Sequence, residues 1–208
     1  MSQFYQEIIT EKSWKTLMLF KKQFDFILIG GWAVYLYTNA LKSKDIDVIV
    51  DYPVLGKLKA EYDIIKNDRL KKYEMKREEV DVDIYLPHFS FLGLPVEEVM
   101  RFTTKKETFT LPCKETLLIT KQNAYLSRRS TVKGQKDKTD IIALLMLPDF
   151  NFNLYRKILN DYKLTQYIVS LTMMLDETHE IKDLGLNRHY FSQKKKRIKD
   201  GLTQHSRI

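Results

Sequence analysis

Near the N-terminus, apolar residues recur at helical spacing (Tyr5, Ile8, Ile9, Leu17, Phe20, Phe24) with charges between them, and this predicts a helix over 3–22. The pattern then changes. Phe26-Ile27-Leu28-Ile29 is a short, wholly apolar, β-branched run of the kind found in strands buried on both faces. Gly30-Gly31 ends it, and a helix is expected over 32–40. From 45 to 50 the chain alternates, with Asp45, Asp47 and Ile49 on one face and Ile46, Val48 and Val50 on the other, which predicts a second strand. After Pro53 a helical stretch over 55–65 leads into a charged hairpin region. A third strand is expected over 79–86, with Val80, Val82, Ile84 and Leu86 inward, Asp81, Asp83 and Tyr85 outward, and Pro87 as the stop.

Beyond Pro112 the texture is helical: helices are expected over 113–129, 138–147, 154–161 and 164–175, then a basic terminal helix, with 130–134 read as a loop. The chain therefore divides into an α/β domain over 1–112 and a helical domain over 113–208, an α+β class overall.

Composition removes several alternatives. Across 208 residues, 44% hydrophobic and 30% charged positions are globular proportions, which excludes a disordered, collagen-like or disulfide-scaffold chain. The net charge of +8 hints at a polyanionic partner, but +6 of it falls within 187–208, leaving a nearly balanced body. One cysteine, Cys113, and no basic-then-apolar leader make a reducing cytoplasm the expected location. The charge-free stretch beginning at Phe26 contains two glycines and falls short of the about 20 apolar residues that span a bilayer, so no membrane role is expected.

The chemistry concentrates on two strands. Residues i and i+2 of a strand project to one face about 6.6 Å apart, and Asp45/Asp47 and Asp81/Asp83 are both such pairs. Aspartate is depleted in strands, and like charges this close repel unless a cation lies between them. Hard carboxylate oxygens suit Mg²⁺, and a pair of such ions can orient a nucleoside triphosphate and activate an attacking hydroxyl. The bland reading is a solvated face of an amphipathic sheet. The Gly-Gly turn agrees with the metal reading, since glycine lets phosphates approach the amides that open the next helix; a plain strand-to-helix turn is the alternative.

Gly30-Gly31-Trp32-Ala33, then Ser43-Lys44-Asp45-Ile46-Asp47-Val48, then Val82-Asp83-Ile84 resembles the nucleotidyltransferase superfamily of the polymerase-β type. The resemblance implies a mixed β-sheet flanked by helices, with a C-terminal helical bundle. It also implies Mg²⁺ on Asp45, Asp47 and Asp83, and an NTP held by Gly30, Gly31 and Ser43. It favours Asp83 over Asp81 as the third carboxylate. Further along, Lys121-Gln122-Asn123-Ala124 and Lys136-Asp137-Lys138-Thr139-Asp140-Ile141 are similar to the small nucleotidyltransferase-like proteins related to the abortive-infection toxin component. That likeness places Lys121, Lys136, Asp137 and Asp140 near the nucleotide. The competing reading makes Asp137 and Asp140 an N-cap and first-turn acid of the 138–147 helix, and Lys121 a solvated helix residue.

Other chemistries lack their motifs. Four histidines show no metal-ligand spacing, and neither a nucleophile elbow nor a P-loop occurs. In the tail, Phe191, Ile198 and Leu202 share one helical face, which suits docking on the domain with lysines outward or lying along a phosphate backbone. The expected activity is transfer of a nucleotide from an NTP to a hydroxyl acceptor, RNA among the candidates, with release of pyrophosphate. The alternatives are a non-catalytic, toxin–antitoxin-type module binding RNA or protein through its tail, and a metal-dependent nuclease.

Overall fold

The computed structural model describes residues 3–77, 79–186 and 188–203, apart from the side chains of 3–6 and 182. The chain forms two compact units, Met1–Cys113 and Lys114–Ile208.

In the first unit the elements are α1 (Gln3–Gln23), β1 (Ile27–Ile29), α2 (Gly30–Thr38), β2 (Ile46–Ile49), α3 (Tyr52–Glu61), β3 (Ile64–Asn67), β4 (Lys72–Arg77), β5 (Val80–Tyr85), α4 (Val96–Arg101), β6 (Thr103–Lys106) and β7 (Phe109–Pro112). The strands make one mixed sheet in the order β3-β4-β5-β2-β1-β7-β6, an α+β architecture. β2 is its middle strand, antiparallel to β1 and parallel to β5. A central strand meets packing on both faces, and Ile46, Val48 and Ile49 are buried accordingly. On β5 the alternation holds: Val80, Val82 and Ile84 are fully buried, Asp81 is exposed and Asp83 half-buried.

The helix α1 is joined to α2 by Trp32 Nε1, which donates to Ser13 Oγ at 2.8 Å in the core, while the Trp14 ring packs 5.0 Å from that of Trp32. A buried indole N–H without an acceptor would be costly, so Ser13 does more here than fill space.

Several boundaries differ from the expected ones for local reasons. The helix expected over 55–65 starts earlier, because the Asp51 side chain accepts from Val54 N at 2.8 Å and Pro53 suits a first helical turn. It ends at Glu61, and the β-branched pair Ile64-Ile65 opens β3 instead. The charged hairpin region is the β3–β4 pair. A second hairpin, β6–β7, and the short helix α4 had no counterpart in the periodicity; β7 joins the sheet beside β1.

The second unit contains α5 (Lys114–Arg128), α6 (Val132–Leu145), α7 (Phe152–Asp161), α8 (Gln166–Glu177), a single 3₁₀ turn (Lys182–Leu184) and α9 (Arg188–Thr203). The helix expected from 138 begins at Val132, inside the segment expected to be a loop. Thr131 caps it by accepting from Gly134 N at 3.1 Å. Gly134 lies so close to the end of α5 that an added Cβ would sit 2.1 Å from the Arg128 carbonyl oxygen. That close approach needs glycine, which explains a helix-weakening residue in a first turn. Phe191, Ile198 and Leu202 of α9 are all buried. Asn187 and 204–208 of the basic tail, Arg207 among them, lie outside the described residues.

Candidate active site

β1 runs straight into α2 at Gly30, which takes φ +67°. This left-handed conformation is open to glycine at little cost. Ile29 at the N-cap has no side-chain oxygen to offer the first-turn N–H groups of α2. Opposite this turn, Ile29 pairs in register with Asp47, and on its other edge Asp47 pairs with Asp83. A Cβ built on Gly30 would lie 2.0 Å from Asp47 Oδ2. The carboxylate therefore fills the space that any other residue at position 30 would need.

Ser43, buried, and Asp45, half-buried, lie on the segment that leads into β2, so the Ser-Lys-Asp-Ile-Asp run passes directly into the central strand. Gly31, buried, is the second residue of α2. The structure thus brings Gly30, Asp47 and Asp83 together across three adjacent strands and the turn that follows the first of them. Asp81 also belongs to β5 but is exposed and pairs in register with Lys76.

One cation is built into this group. Lys72, the first residue of β4, places Nζ 2.6 Å from Asp83 Oδ2 and 3.0 Å from Glu74 Oε1. Glu74 stands directly opposite Asp83 on β4 and also accepts from Asn67 Nδ2 at 3.0 Å. Burial pushes the Asp83 carboxyl above its usual range; Lys72 pulls the other way, and the charges of Glu74 and Asp45 add to the rise. For Lys72, burial opposes the charge, but the hydrogen bonds to Asp83 and Glu74 outweigh it and hold the ammonium above the usual lysine value. The hydrogen bond from Lys72 holds Glu74 below the usual glutamate range. Neither Lys72 nor Glu74 was among the residues singled out from the sequence. The alternation Lys72-Tyr73-Glu74-Met75-Lys76 was the available signal, but it lay in a segment read only as a charged hairpin.

The donor chemistry of Asp45, Asp47 and Asp83 fits a hard divalent cation: oxygen ligands, partial burial, and an Asp83 carboxyl whose proton affinity is raised by burial and by the neighbouring charges of Glu74 and Asp45. Among the described residues, however, no three His, Cys, Asp or Glu side chains converge closely enough to hold an ion as they stand. Lys72 occupies Asp83 Oδ2.

The remaining expected site residues lie in the second unit. On α5 and α6, Lys121 Nζ is 2.7 Å from Asp140 Oδ2 and 3.5 Å from Asp137 Oδ1, and Arg128 holds both oxygens of Asp137 at 2.7 and 3.1 Å. Lys121, Asp137 and Asp140 are buried. The contact with Asp140 is an ion pair without hydrogen-bond geometry, and neither Asp140 oxygen receives a hydrogen bond. Because α6 begins at Val132, these aspartates sit in the middle of the helix and cap nothing; the capping reading is corrected. Lys136 is half-buried on the same helix.

The basic helix α9 is also committed in part. Lys195 donates to the Thr178 carbonyl at 2.7 Å, Arg197 to the Pro148 carbonyl at 3.1 Å, and Lys199 pairs with Asp176. These groups bind the C-terminal end of α8 and the α6–α7 loop, as cations commonly do at helix C-termini. No helix among the described residues is long and apolar enough to cross a membrane.

No protein-family model matches the sequence, and no curated protein matches it. Among the solved structures similar to the chain are two. One is an antigenic nucleotidyltransferase-like protein from Paracoccidioides brasiliensis, 17% identical, covering 87% of this chain and 96% of that one at a TM-score of 0.40. The other is JHP933 from Helicobacter pylori, 18% identical, covering 97% of this chain and 94% of that one at a TM-score of 0.47.

Proposed function

We propose that this protein is a Mg²⁺-dependent nucleotidyltransferase that moves a nucleotide from an NTP to a hydroxyl acceptor and releases pyrophosphate. The observation that carries the reading is the seating of Asp47 against Gly30. Position 30 is kept free of a side chain, a carboxylate occupies the space, and Asp83 stands beside that carboxylate in register. A sheet decorated with solvated acids has no need of such a fit.

In this reading Asp45, Asp47 and Asp83 hold the metal, and the bound ion supplies charge neutralisation for the triphosphate and its leaving group. Gly30, Gly31 and the first-turn amides of α2 receive phosphate oxygens, helped by the positive end of the helix. Ser43, entering β2, adds a hydroxyl donor. Asp83, whose carboxyl burial already pushes up, accepts the proton of the acceptor hydroxyl as its oxygen bonds to the α-phosphorus. The bond from that phosphorus to the bridging oxygen breaks, and pyrophosphate leaves with the electron pair. Positioning supplies most of the acceleration.

The test is pyrophosphate release from each NTP with Mg²⁺ and cellular RNA or protein as acceptor, comparing wild type with Asp45→Asn/Asp47→Asn. Release that is lost in the double variant supports the reading. Equal behaviour of the two proteins sinks it, and cleaved nucleic acid in place of labelled acceptor makes the protein a nuclease.

A further inference from the structure

Lys72 belongs to none of the motifs that suggested the activity, yet its Nζ stands 2.6 Å from Asp83 Oδ2. Its side chain is 13% exposed and that of Asp83 is 23% exposed, so the pair is screened far less than a surface ion pair. The ammonium does not depend on Asp83 alone. Glu74, 3.0 Å away and fixed by Asn67, is a second anchor on the same strand. A lysine head is a compact point charge on a flexible stem, free to trade one carboxylate for another.

We propose that Lys72 is a tethered cation that competes with the divalent metal for Asp83, yielding the carboxylate by moving wholly onto Glu74. This rests on the metal-dependent reading above. Because the ammonium sits on Asp83 Oδ2, a metal that takes this oxygen displaces it, and the displaced charge stays neutralised by Glu74 in place of being stranded in a half-buried site. Lys72 thereby weakens metal capture and positions Asp83. Without Glu74 the same exchange would leave an uncompensated ammonium beside the incoming ion. A merely structural Lys72 would neutralise the facing Glu74–Asp83 pair and leave metal affinity where any distant lysine leaves it.

The experiment is a Mn²⁺ titration read by electron paramagnetic resonance of the free ion, without nucleotide, on wild type and four variants, with thermal melts recorded alongside. Removing an adjacent unit charge should tighten Mn²⁺ binding by Lys72→Met about ten-fold, and Lys72→Arg should stay near wild type. Lys76→Met removes the same charge from the same strand without touching Asp83 and should change affinity by less than about two-fold. Unchanged or weaker binding by Lys72→Met overturns the proposal, as does equal tightening by Lys76→Met. Should Lys72→Met fail to fold, Lys72→Arg decides: tightening there would show that charge is not what competes. The fourth variant, Asp47→Asn, separates the two readings. If it abolishes Mn²⁺ binding while Lys72→Met does not tighten it, the metal site stands and only the Lys72 proposal falls. If Asp47→Asn binds like wild type, both fall.

Discussion

Asp47 Oδ2 occupies the space where a Cβ on Gly30 would stand, 2.0 Å from that position. The strand-to-helix turn and the central carboxylate therefore form one fitted unit. Gly30→Ala is opposed twice, by the carboxylate and by φ +67°, a conformation that costs an L-residue about 1–2 kcal/mol. A melting temperature lowered accordingly, together with loss of Mn²⁺ binding, is expected. An alanine variant as stable as wild type, with unchanged Mn²⁺ affinity, would show that the fit has no consequence.

The buried ion pairs of the second unit allow a sharper test. Lys121→Met leaves Asp140 buried with no opposing charge, and breaking such a pair from one side costs about 3–5 kcal/mol. Lys121→Met/Asp140→Leu removes both charges and should recover most of that loss in urea denaturation. If the double variant recovers stability but not pyrophosphate release, these residues also serve the nucleotide, as the sequence resemblance implies. If it recovers both, their role is packing.

Tyr155 gives a pH signature independent of the proposed site. Its hydroxyl donates to Gln122 Oε1 at 2.5 Å, and burial pushes its pKa far above the ordinary value of 10.0. Above pH 10 the unfolded chain releases this proton while the folded chain keeps it, so stability contributed by Tyr155 is present below that pH and falls as pH rises further. Tyr155→Phe should cost about 1 kcal/mol at pH 7 through the lost hydrogen bond. The gap to wild type should then narrow in denaturation series carried above pH 10. A gap that is constant or widens would contradict the assigned cause.

The basic tail separates into two kinds of residue. Phe191 is fully buried, and truncation to alanine should destabilise the second unit by about 3–5 kcal/mol. Lys196 is exposed, so Lys196→Gln should leave the melt unchanged and lower RNA affinity only if this face contacts a phosphate backbone. RNA binding that survives that change together with Lys194→Gln, at all salt concentrations, would remove the tail-binding alternative.

Much of the candidate site could be read without a structure because its signals are local. Apolar runs and alternation identify β1, β2 and β5, since burial of one or both faces is written into neighbouring residues. Gly30, Asp47 and Asp83 stood out because glycine pairs and strand aspartates are unusual in their own segments. The hairpins were harder. In β4 polar residues line a face that is only partly buried, so Lys72 and Glu74 looked like ordinary charges, and β6 carries Lys105 and Lys106 where an apolar signal would have revealed it. The start of α6 was missed because Gly134 suggested a loop, whereas close approach to α5 was the reason for the glycine.

The sequence by itself determined which segments could bury a face, where the turns fall, and which carboxylates were out of place in their strands, because propensity and periodicity act between residues close along the chain. Only the tertiary structure decided how those carboxylates are neutralised. Strand order sets Asp47 between Ile29 and Asp83, and the β4–β5 register brings Lys72 and Glu74 to Asp83 across 11 and 9 positions of sequence. Likewise, only the packing of α5 on α6 turned Lys121, Asp137 and Asp140 from plausible surface charges into a buried network. Electrostatic partnership depends on distance and desolvation, and neither exists until the chain has folded.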